Sequence, residues 1–170
     1  MNFGKVLVKP DWDKWAIMKK HFEGLFLTAY QDTGKIWTIG YGSTFNHIAR
    51  RKVIKGDRIT YQDAIEFMRI DATEVVRLAN VYIHRPLNSH QSTAVCDYIY
   101  NRGIGNFLKA DLNGLGLDET INANPLDPHI ADIIKGTGLK DKLGRLLPGL
   151  IRRRKSQAHL YFTGELKFQF

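Results

Sequence analysis

The sequence predicts an α+β fold in which one helix is followed by a small sheet and then by helices only. Apolar side chains recur at helical spacing up to Gly24, β-forming residues alternate from residue 26 to 45, and helical stripes return after residue 60. With 170 residues, 44% of them apolar, the chain is long enough for one compact domain with a real core.

The first predicted helix begins near Asp11 or Asp13, since either carboxylate can accept hydrogen bonds from the free N–H groups of a helix start. Its apolar side chains recur every three or four residues, at Trp12, Trp15, Met18, Phe22 and Leu25. Gly24 is a typical helix stop. Glu23 is therefore expected at the helix end, at the edge of the surface that this apolar face buries.

The next segment predicts a β-hairpin. Residues 26 to 45 are rich in β-branched and aromatic side chains, and Asp32-Thr-Gly-Lys35 is a turn signal between two short strands. Thr38 lies on the return strand. Gly40 and Gly42 permit close backbone approach or dihedral angles that other residues avoid.

Helices account for the remainder of the chain. Thr60 with Asp63 three residues later is an acidic relative of the capping box, and it predicts the start of the longest helix. The predicted helices cover 60–83, a segment from Asn88 or Ser89 to Gly103, 105–116, 128–136 and 147–162.

Charge and cysteine content limit the possible classes of protein. The net charge of +8 predicts attraction to polyanions, either nucleic acid or an anionic cell envelope. Cys96 is the single cysteine, which excludes an internal disulfide. The first ten residues lack the long apolar stretch of a signal peptide, and no apolar run approaches the ~18 residues of a membrane span. Neither a metal site nor a cofactor is predicted, because the six histidines lack paired ligand spacing.

Two acids and a hydroxyl lie in one short stretch, at Glu23, Asp32 and Thr38. Hydrolysis of a glycosidic bond requires a proton for the departing oxygen and a carboxylate near the developing cation. A carboxyl that loses solvation keeps its proton more readily, and Glu23 among apolar neighbours is placed for that role. Asp32 on a wetter hairpin is placed to stay ionised, and Thr38 to hold a water.

This pattern resembles the phage-type lysozymes, the endolysin muramidases of glycoside hydrolase family 24. Glu23 is followed nine residues later by Asp32 and six residues after that by Thr38. Ile-Gly-Tyr-Gly42 comes directly after the threonine. The resemblance continues through Arg85-Pro-Leu-Asn88-x-x-Gln91, through Tyr98-Ile-Tyr-Asn101-x-Gly103, and through Gly149-Leu150-Ile-Arg152-Arg153 with Leu160-Tyr161-Phe-Thr-Gly164. Most of the chain is therefore covered in order.

The resemblance implies a role for each matching residue. Glu23 is the general acid, while Asp32 stabilises the cation and, with Thr38, positions the attacking water. That arrangement gives inversion and places the carboxyls roughly 6.5–9.5 Å apart. Arg153, with its neighbour Arg152 as the alternative, would reach Glu23 and hold it in place. Asn101 would line the floor of the saccharide groove.

The resemblance also implies a lysozyme-like architecture for residues 1–170. A small β-hairpin lobe at about 24–60 and a larger helical lobe, at about 1–23 and 84–170, would flank a cleft, joined by the helix 60–83. Two residues depart from the family pattern. Ser43 replaces a frequent histidine, so the salt bridge of that histidine is expected to be absent, and Gln157 replaces a frequent glutamate. The segment 118–147 matches poorly.

Simpler roles stand beside these. Glu23 alone would be a solvated charge at a helix end, Thr38 a packing residue, Asn101 a buried structural amide and the basic run 152–155 a solvated helix face. Core packing is the expected role of Trp12, Trp15 and Trp37, with stacking on sugar rings the alternative. Cys96 lies on an apolar stripe, which predicts a packed thiol.

The resemblance predicts a monomeric hydrolase that cuts the β-1,4 bond between N-acetylmuramic acid and N-acetylglucosamine in peptidoglycan during host lysis. Its partners are peptidoglycan and, through charge, the anionic envelope, with no specific nucleic acid. It would accumulate in the host cytoplasm and reach the wall through a separate hole-forming protein. The alternatives are a lytic transglycosylase, a basic nucleic-acid-binding protein and an inactive glycan-binding module of a virion.

Overall fold

Seven helices and four short strands make up the part of the chain that the structure describes. This computed structural model describes residues 7–32, 34–109, 114–140 and 143–170. The elements in order are α1 (Trp12–Glu23), β1 (Phe26–Gln31), β2 (Trp37–Gly40), β3 (Phe45–Asn46), β4 (Arg51–Lys52), α2 (Tyr61–Tyr82), α3 (Ser89–Arg102), α4 (Ile104–Phe107), α5 (Leu117–Ala123), α6 (His129–Gly136) and α7 (Pro148–Thr163). None of these helices has the length and apolar content needed to cross a membrane.

The described residues form two compact units. One, the sheet unit, contains residues 16–74, and the other, the helical unit, contains the described residues up to Trp15 together with those from Val75 onward. Helices α1 and α2 each contribute residues to both units. The division into lobes at about 24–60 and 84–170, flanking a cleft, stays a prediction.

In the sheet unit, β1 changes partners along its length. Its ends pair antiparallel with β2, Phe26 opposite Gly40 and Tyr30 opposite Thr38, with a shift of register between them. Between those points the backbone of 27–29 bonds instead to 57–59, with N···O distances of 2.9 and 3.0 Å. The core beneath consists of Ile39, Tyr41, Val53, Ile59, Ala64, Phe67 and Met68.

The predicted capping arrangement of α2 is confirmed. The Thr60 N–H donates to Asp63 Oδ2 at 2.8 Å, and the Asp63 N–H donates to Thr60 Oγ1 at 3.1 Å. The hydrogen bonds that the Asp63 carboxylate accepts from the Thr60 N–H and the Thr60 hydroxyl lower the pKa of Asp63. Two free N–H donors at the start of α2 are thereby satisfied by residues three positions apart. Because the two residues are so close in sequence, the start of this helix could be predicted from the sequence.

Ser43 and His47 share one acid of the sheet unit, Asp71. The Ser43 hydroxyl donates to Asp71, and Nε2 of His47, four residues further on, lies 2.8 Å from the other oxygen of Asp71. The ring of His47 also packs edge-on against Phe67 at 4.9 Å. This imidazole comes from the β3–β4 connection and not from position 43, so it does not bear on the salt bridge that a histidine at position 43 would make.

In the helical unit, α3 is buried over most of its length and packs against α7, which also packs against α6. Asn88 caps α3, accepting from the Gln91 N–H at 2.8 Å while the Gln91 side chain accepts from the Asn88 N–H at 3.1 Å. Cys96 is fully buried, which confirms the packed thiol, and burial raises its pKa.

Two expectations for this unit were wrong. The helix predicted at 105–116 ends at Phe107, while α5 (Leu117–Ala123) was not predicted; residues 110–113 lie outside the described part. The start of α5 is capped by Glu119, whose carboxylate accepts from the Gly116 N–H at 2.8 Å. Trp12 is 51% exposed and stacks on the buried Trp15, so it covers the core without belonging to it.

Candidate active site

Glu23 lies where α1 gives way to β1. It is the last residue of the helix and is half-buried. Gly24 follows with φ of +69°, a conformation that L side chains rarely adopt, and a β-carbon there would lie 3.3 Å from the Phe26 ring. The glycine therefore allows the chain to reverse directly after the acid, with the start of β1 beside it.

Asp32 is fixed by the turn that it begins. Its Oδ1 accepts from the Ile36 N–H at 2.8 Å, and its backbone N–H donates to the Ile36 carbonyl at 3.0 Å. Among the described residues, no donor lies within hydrogen-bonding distance of its Oδ2. The carboxylate is thus oriented by one oxygen, while the other can accept a hydrogen bond from a water.

Thr38 lies on β2 and is buried, with 4% of its surface exposed. Its hydroxyl donates to the Ile36 carbonyl at 3.1 Å. Because the hydroxyl hydrogen is used in this way, the oxygen faces any further partner as an acceptor. Ile36 thus connects the Asp32 carboxylate and the Thr38 hydroxyl through its own N–H and C=O.

Tyr30 is a site residue that the sequence did not single out. It lies opposite Thr38 in the β1–β2 ladder, and its ring packs on that of Phe26 with centroids 4.2 Å apart. Burial, followed by the charges of Glu23 and Asp32, raises the pKa of Tyr30. The signal available in the sequence was its position two residues before Asp32, on the same face of a strand.

The two remaining candidates belong to the helical unit. Arg153 on α7 is 2% exposed, and its guanidinium donates to both carboxylate oxygens of Asp97 on α3, at 3.0 and 2.9 Å. Asn101, one turn beyond Asp97, accepts a hydrogen bond from Arg154. Asp97 was missed, although an acid within the apolar stripe of α3 was a visible signal that a buried cation lies opposite it.

Gln157 has a structural role between Asp97 and Arg154. Its amide nitrogen Nε2 donates to Asp97 Oδ2 at 2.6 Å, and its Oε1 accepts from Arg154 at 2.5 Å. Burial lowers the pKa of Arg154 to about 10, which leaves it cationic at neutral pH. Its guanidinium also lies 4.9 Å from the centroid of the Tyr98 ring. The Gln157 amide thus connects the Asp97 carboxylate to the Arg154 guanidinium, and both of these side chains are fully buried.

Within the ranges that the structure describes, no group of three or more His, Cys, Asp or Glu side chains is arranged to hold a metal ion.

Comparison with known proteins identifies the family. The family model described as phage lysozyme matches residues 20–157. The endolysin of Acyrthosiphon pisum secondary endosymbiont phage 1 is 33% identical over 150 residues, which cover 88% of this chain and 95% of that protein. The chain belongs to the phage lysozyme family.

Solved structures agree with this membership. The endolysin from Escherichia coli O157:H7 phage FAHEc1 shares the fold with a TM-score of 0.77 at 24% identity, over 98% of both chains. The muramidase domain of SpmX from Asticaccaulis excentricus is 28% identical, with a TM-score of 0.72, over 88% of this chain and 95% of that one.

Membership confirms several predictions made from the sequence. The enzyme is a glycoside hydrolase of the lysozyme type with a lysozyme-like α+β fold, and its substrate is peptidoglycan.

Proposed function

We propose that the enzyme hydrolyses the β-1,4 bond between N-acetylmuramic acid and N-acetylglucosamine by a single displacement with inversion, during lysis of a bacterial host. The observation that supports this proposal is that Ile36 holds both the Asp32 carboxylate and the Thr38 hydroxyl, on a hairpin that begins three residues after Glu23. An acid, an ionised partner and a water-holding hydroxyl are the groups that such a displacement requires.

In this mechanism the protonated Glu23 gives its proton to the glycosidic oxygen as the bond to the anomeric carbon breaks. The oxygen of a water forms the new bond from the opposite face of the sugar, and its proton passes to Asp32. One water is consumed for each bond cut. Exchange with solvent then returns the proton to Glu23 and removes the one on Asp32.

Thr38 serves to position that water. Its hydrogen is bound to the Ile36 carbonyl, so the oxygen accepts one water hydrogen while Asp32 Oδ2 accepts the other. Two fixed acceptors orient a lone pair of the water towards the anomeric carbon. Preorganisation of this kind lowers the entropy cost of the displacement.

A lytic transglycosylase acting on the same bond is the alternative. Such an enzyme needs an acid but no held water, because a hydroxyl of the muramic acid closes an anhydro ring. The products distinguish the two reactions: mass spectrometry of digested walls should show muropeptides with hydrated reducing ends. A predominance of anhydro-muramyl ends would overturn the hydrolase proposal.

Tyr30 is expected to influence the reaction without supplying a proton. Burial, followed by the charges of Glu23 and Asp32, raises the pKa of Tyr30, so its hydroxyl stays neutral and keeps its hydrogen at working pH. Tyr30→Phe keeps the ring on Phe26 but removes the donor, and we expect kcat to fall roughly tenfold, with the acidic limb of its pH profile displaced. The pH dependence of kcat on soluble peptidoglycan fragments measures this. An unchanged profile would reduce Tyr30 to a packing residue.

Asn101 and Arg153 keep their proposed supporting roles. Arg154 holds the carbonyl oxygen of the Asn101 amide, which directs the two amide hydrogens elsewhere as donors for a sugar. Arg153 is proposed to support Glu23 in addition to pairing with Asp97.

The proposal also includes a monomeric state, accumulation in the host cytoplasm and release through a separate hole-forming protein. Expression of this chain alone should therefore leave host cells unlysed.

A further inference from the structure

The connection around β3 and β4 carries an unusual share of the charge. Residues 45–58, here called the basic hairpin, contain five lysines and arginines and one aspartate, a net charge of +4. The whole chain has a net charge of +8. Fourteen residues therefore supply half of the excess positive charge.

The single acid of the basic hairpin is neutralised internally. Asp57 accepts from both terminal nitrogens of Arg51 at 2.8 Å, and its Oδ2 also accepts from the Asn46 amide and the Ile54 N–H at 3.2 Å each. These bonds hold the pKa of Asp57 well below its usual range. Asp57 and Arg51 thus hold the conformation of the basic hairpin, and their charges are already used in pairing with each other.

Four cations of the basic hairpin remain for an outside partner. Arg50, Lys52, Lys55 and Arg58 are all exposed. Within the described ranges, none of the four has a carboxylate within 4.0 Å. Like charges so close together in sequence repel one another, so an anionic partner would relieve a cost already present in the fold.

Exposed apolar side chains lie among these cations. Phe45 stands opposite Lys52 in the strand pair and is 39% exposed, while Ile48 and Ile54 are 64% and 49% exposed. Val53 and Asn46, by contrast, are buried and anchor the strands. The basic hairpin therefore combines a rigid base with an outer surface of mixed cationic and apolar side chains.

We infer that the basic hairpin docks on an anionic phospholipid bilayer. Four cations attract anionic headgroups at long range, and Phe45, Ile48 and Ile54 enter the boundary between headgroups and acyl chains. A soluble polyanion needs only the charges and gives the apolar side chains nothing to contact, so the mixture favours a membrane surface. The benefit of docking rests on the proposed function, since it would hold a wall hydrolase next to its polymer.

Sedimentation with lipid vesicles tests the inference. The parent should bind vesicles of phosphatidylglycerol and phosphatidylcholine at low salt, bind pure phosphatidylcholine weakly, and lose binding as salt screens the charges. Replacing Arg50, Lys52, Lys55 and Arg58 together with glutamine should weaken the partition roughly 100-fold or more. Arg51 is kept in this variant so that its pair with Asp57 continues to fix the hairpin.

A charge-matched control distinguishes the effect of where the cations lie from the effect of the total net charge. Replacing the exposed Lys9, Lys109, Lys140 and Lys155 with glutamine removes the same charge outside the basic hairpin, and binding should fall much less. Equal losses in the two variants would overturn the inference. Thermal unfolding of both variants shows that the chain still folds.

The apolar side chains decide between a membrane and a polyanion. Ile48→Ser with Ile54→Ser leaves every charge in place and should weaken vesicle binding severalfold. Unchanged vesicle binding by this variant, or binding of the parent to purified walls but not to vesicles, would contradict docking on lipid. Because sedimentation needs no catalysis, Glu23→Gln should bind like the parent, and loss of the proposed chemistry would leave this result intact.

Discussion

Replacing Glu23 with glutamine is expected to lower the rate of wall hydrolysis by about 10²–10⁴-fold, the usual contribution of a general acid. The amide has the size of the carboxyl but cannot give a proton to the departing oxygen. Since Glu23 is half-buried at a helix end, the exchange should leave the fold intact. Clearing of purified bacterial walls measures the activity, and thermal unfolding checks the structure.

Glu66 provides a matched control for this experiment. It is an exposed acid on α2 within the same compact unit, and Glu66→Gln makes the same chemical change away from the candidate site. The control should clear walls at the rate of the parent. Wall clearing by Glu23→Gln at the parental rate, with both variants folded, would show that Glu23 is not the acid.

Replacing Asp97 with alanine is expected to destabilise the enzyme by about 3–5 kcal/mol, the usual cost of removing one partner from a buried ion pair. Asp97 is 0% exposed and neutralises Arg153, which is 2% exposed. Its loss removes one carboxylate and two hydrogen bonds from a buried guanidinium and takes away the acceptor of the Gln157 amide. Chemical denaturation gives the free energy of unfolding directly.

The exposed pair of Asp132 and Lys135 is the control for burial. Their N···O distance is 3.0 Å, similar to that of the buried pair, but both side chains are open to solvent. Asp132→Ala should therefore change the free energy of unfolding by no more than about 0.5 kcal/mol. Similar losses for Asp97→Ala and Asp132→Ala would mean that burial does not set the strength of the Asp97–Arg153 pair.

The helices set by local signals were predictable from the sequence. The starts of α2 and α3 depend on capping pairs only three residues apart, Thr60 with Asp63 and Asn88 with Gln91. The end of α1 depends on the glycine that follows it. Such features act over a single helical turn, so the printed order of residues contains the information that places them.

Features that depend on distant residues were not predictable in the same way. The Asp97–Arg153 pair joins residues 56 positions apart, and the His47–Asp71 pair joins residues 24 apart. Neither spacing carries a periodic signal. The short helix α5 was missed because its cap is a glutamate bonding back to a glycine, and glycine more often indicates the end of a helix.

The candidate site was accessible to sequence reasoning because its three principal residues lie within sixteen positions. Glu23, Asp32 and Thr38 occupy one helix end and one hairpin, whose spacing is a local property. The position of Tyr30 beside Thr38 could not be predicted from the sequence. It depends on the register of β1 against β2, and that register shifts partway along the pair. Tyrosine in a strand otherwise indicates only packing.

The anomeric configuration of the newly formed reducing end tests the central claim most directly. If Asp32 and Thr38 hold the water that attacks opposite the departing oxygen, cleavage of the β-linked sugar must first yield the α-anomer. Proton NMR of a soluble peptidoglycan fragment, recorded before mutarotation, distinguishes the two anomers. We expect the α-anomer as the first product, and initial formation of the β-anomer would contradict single displacement by a water that Asp32 and Thr38 hold.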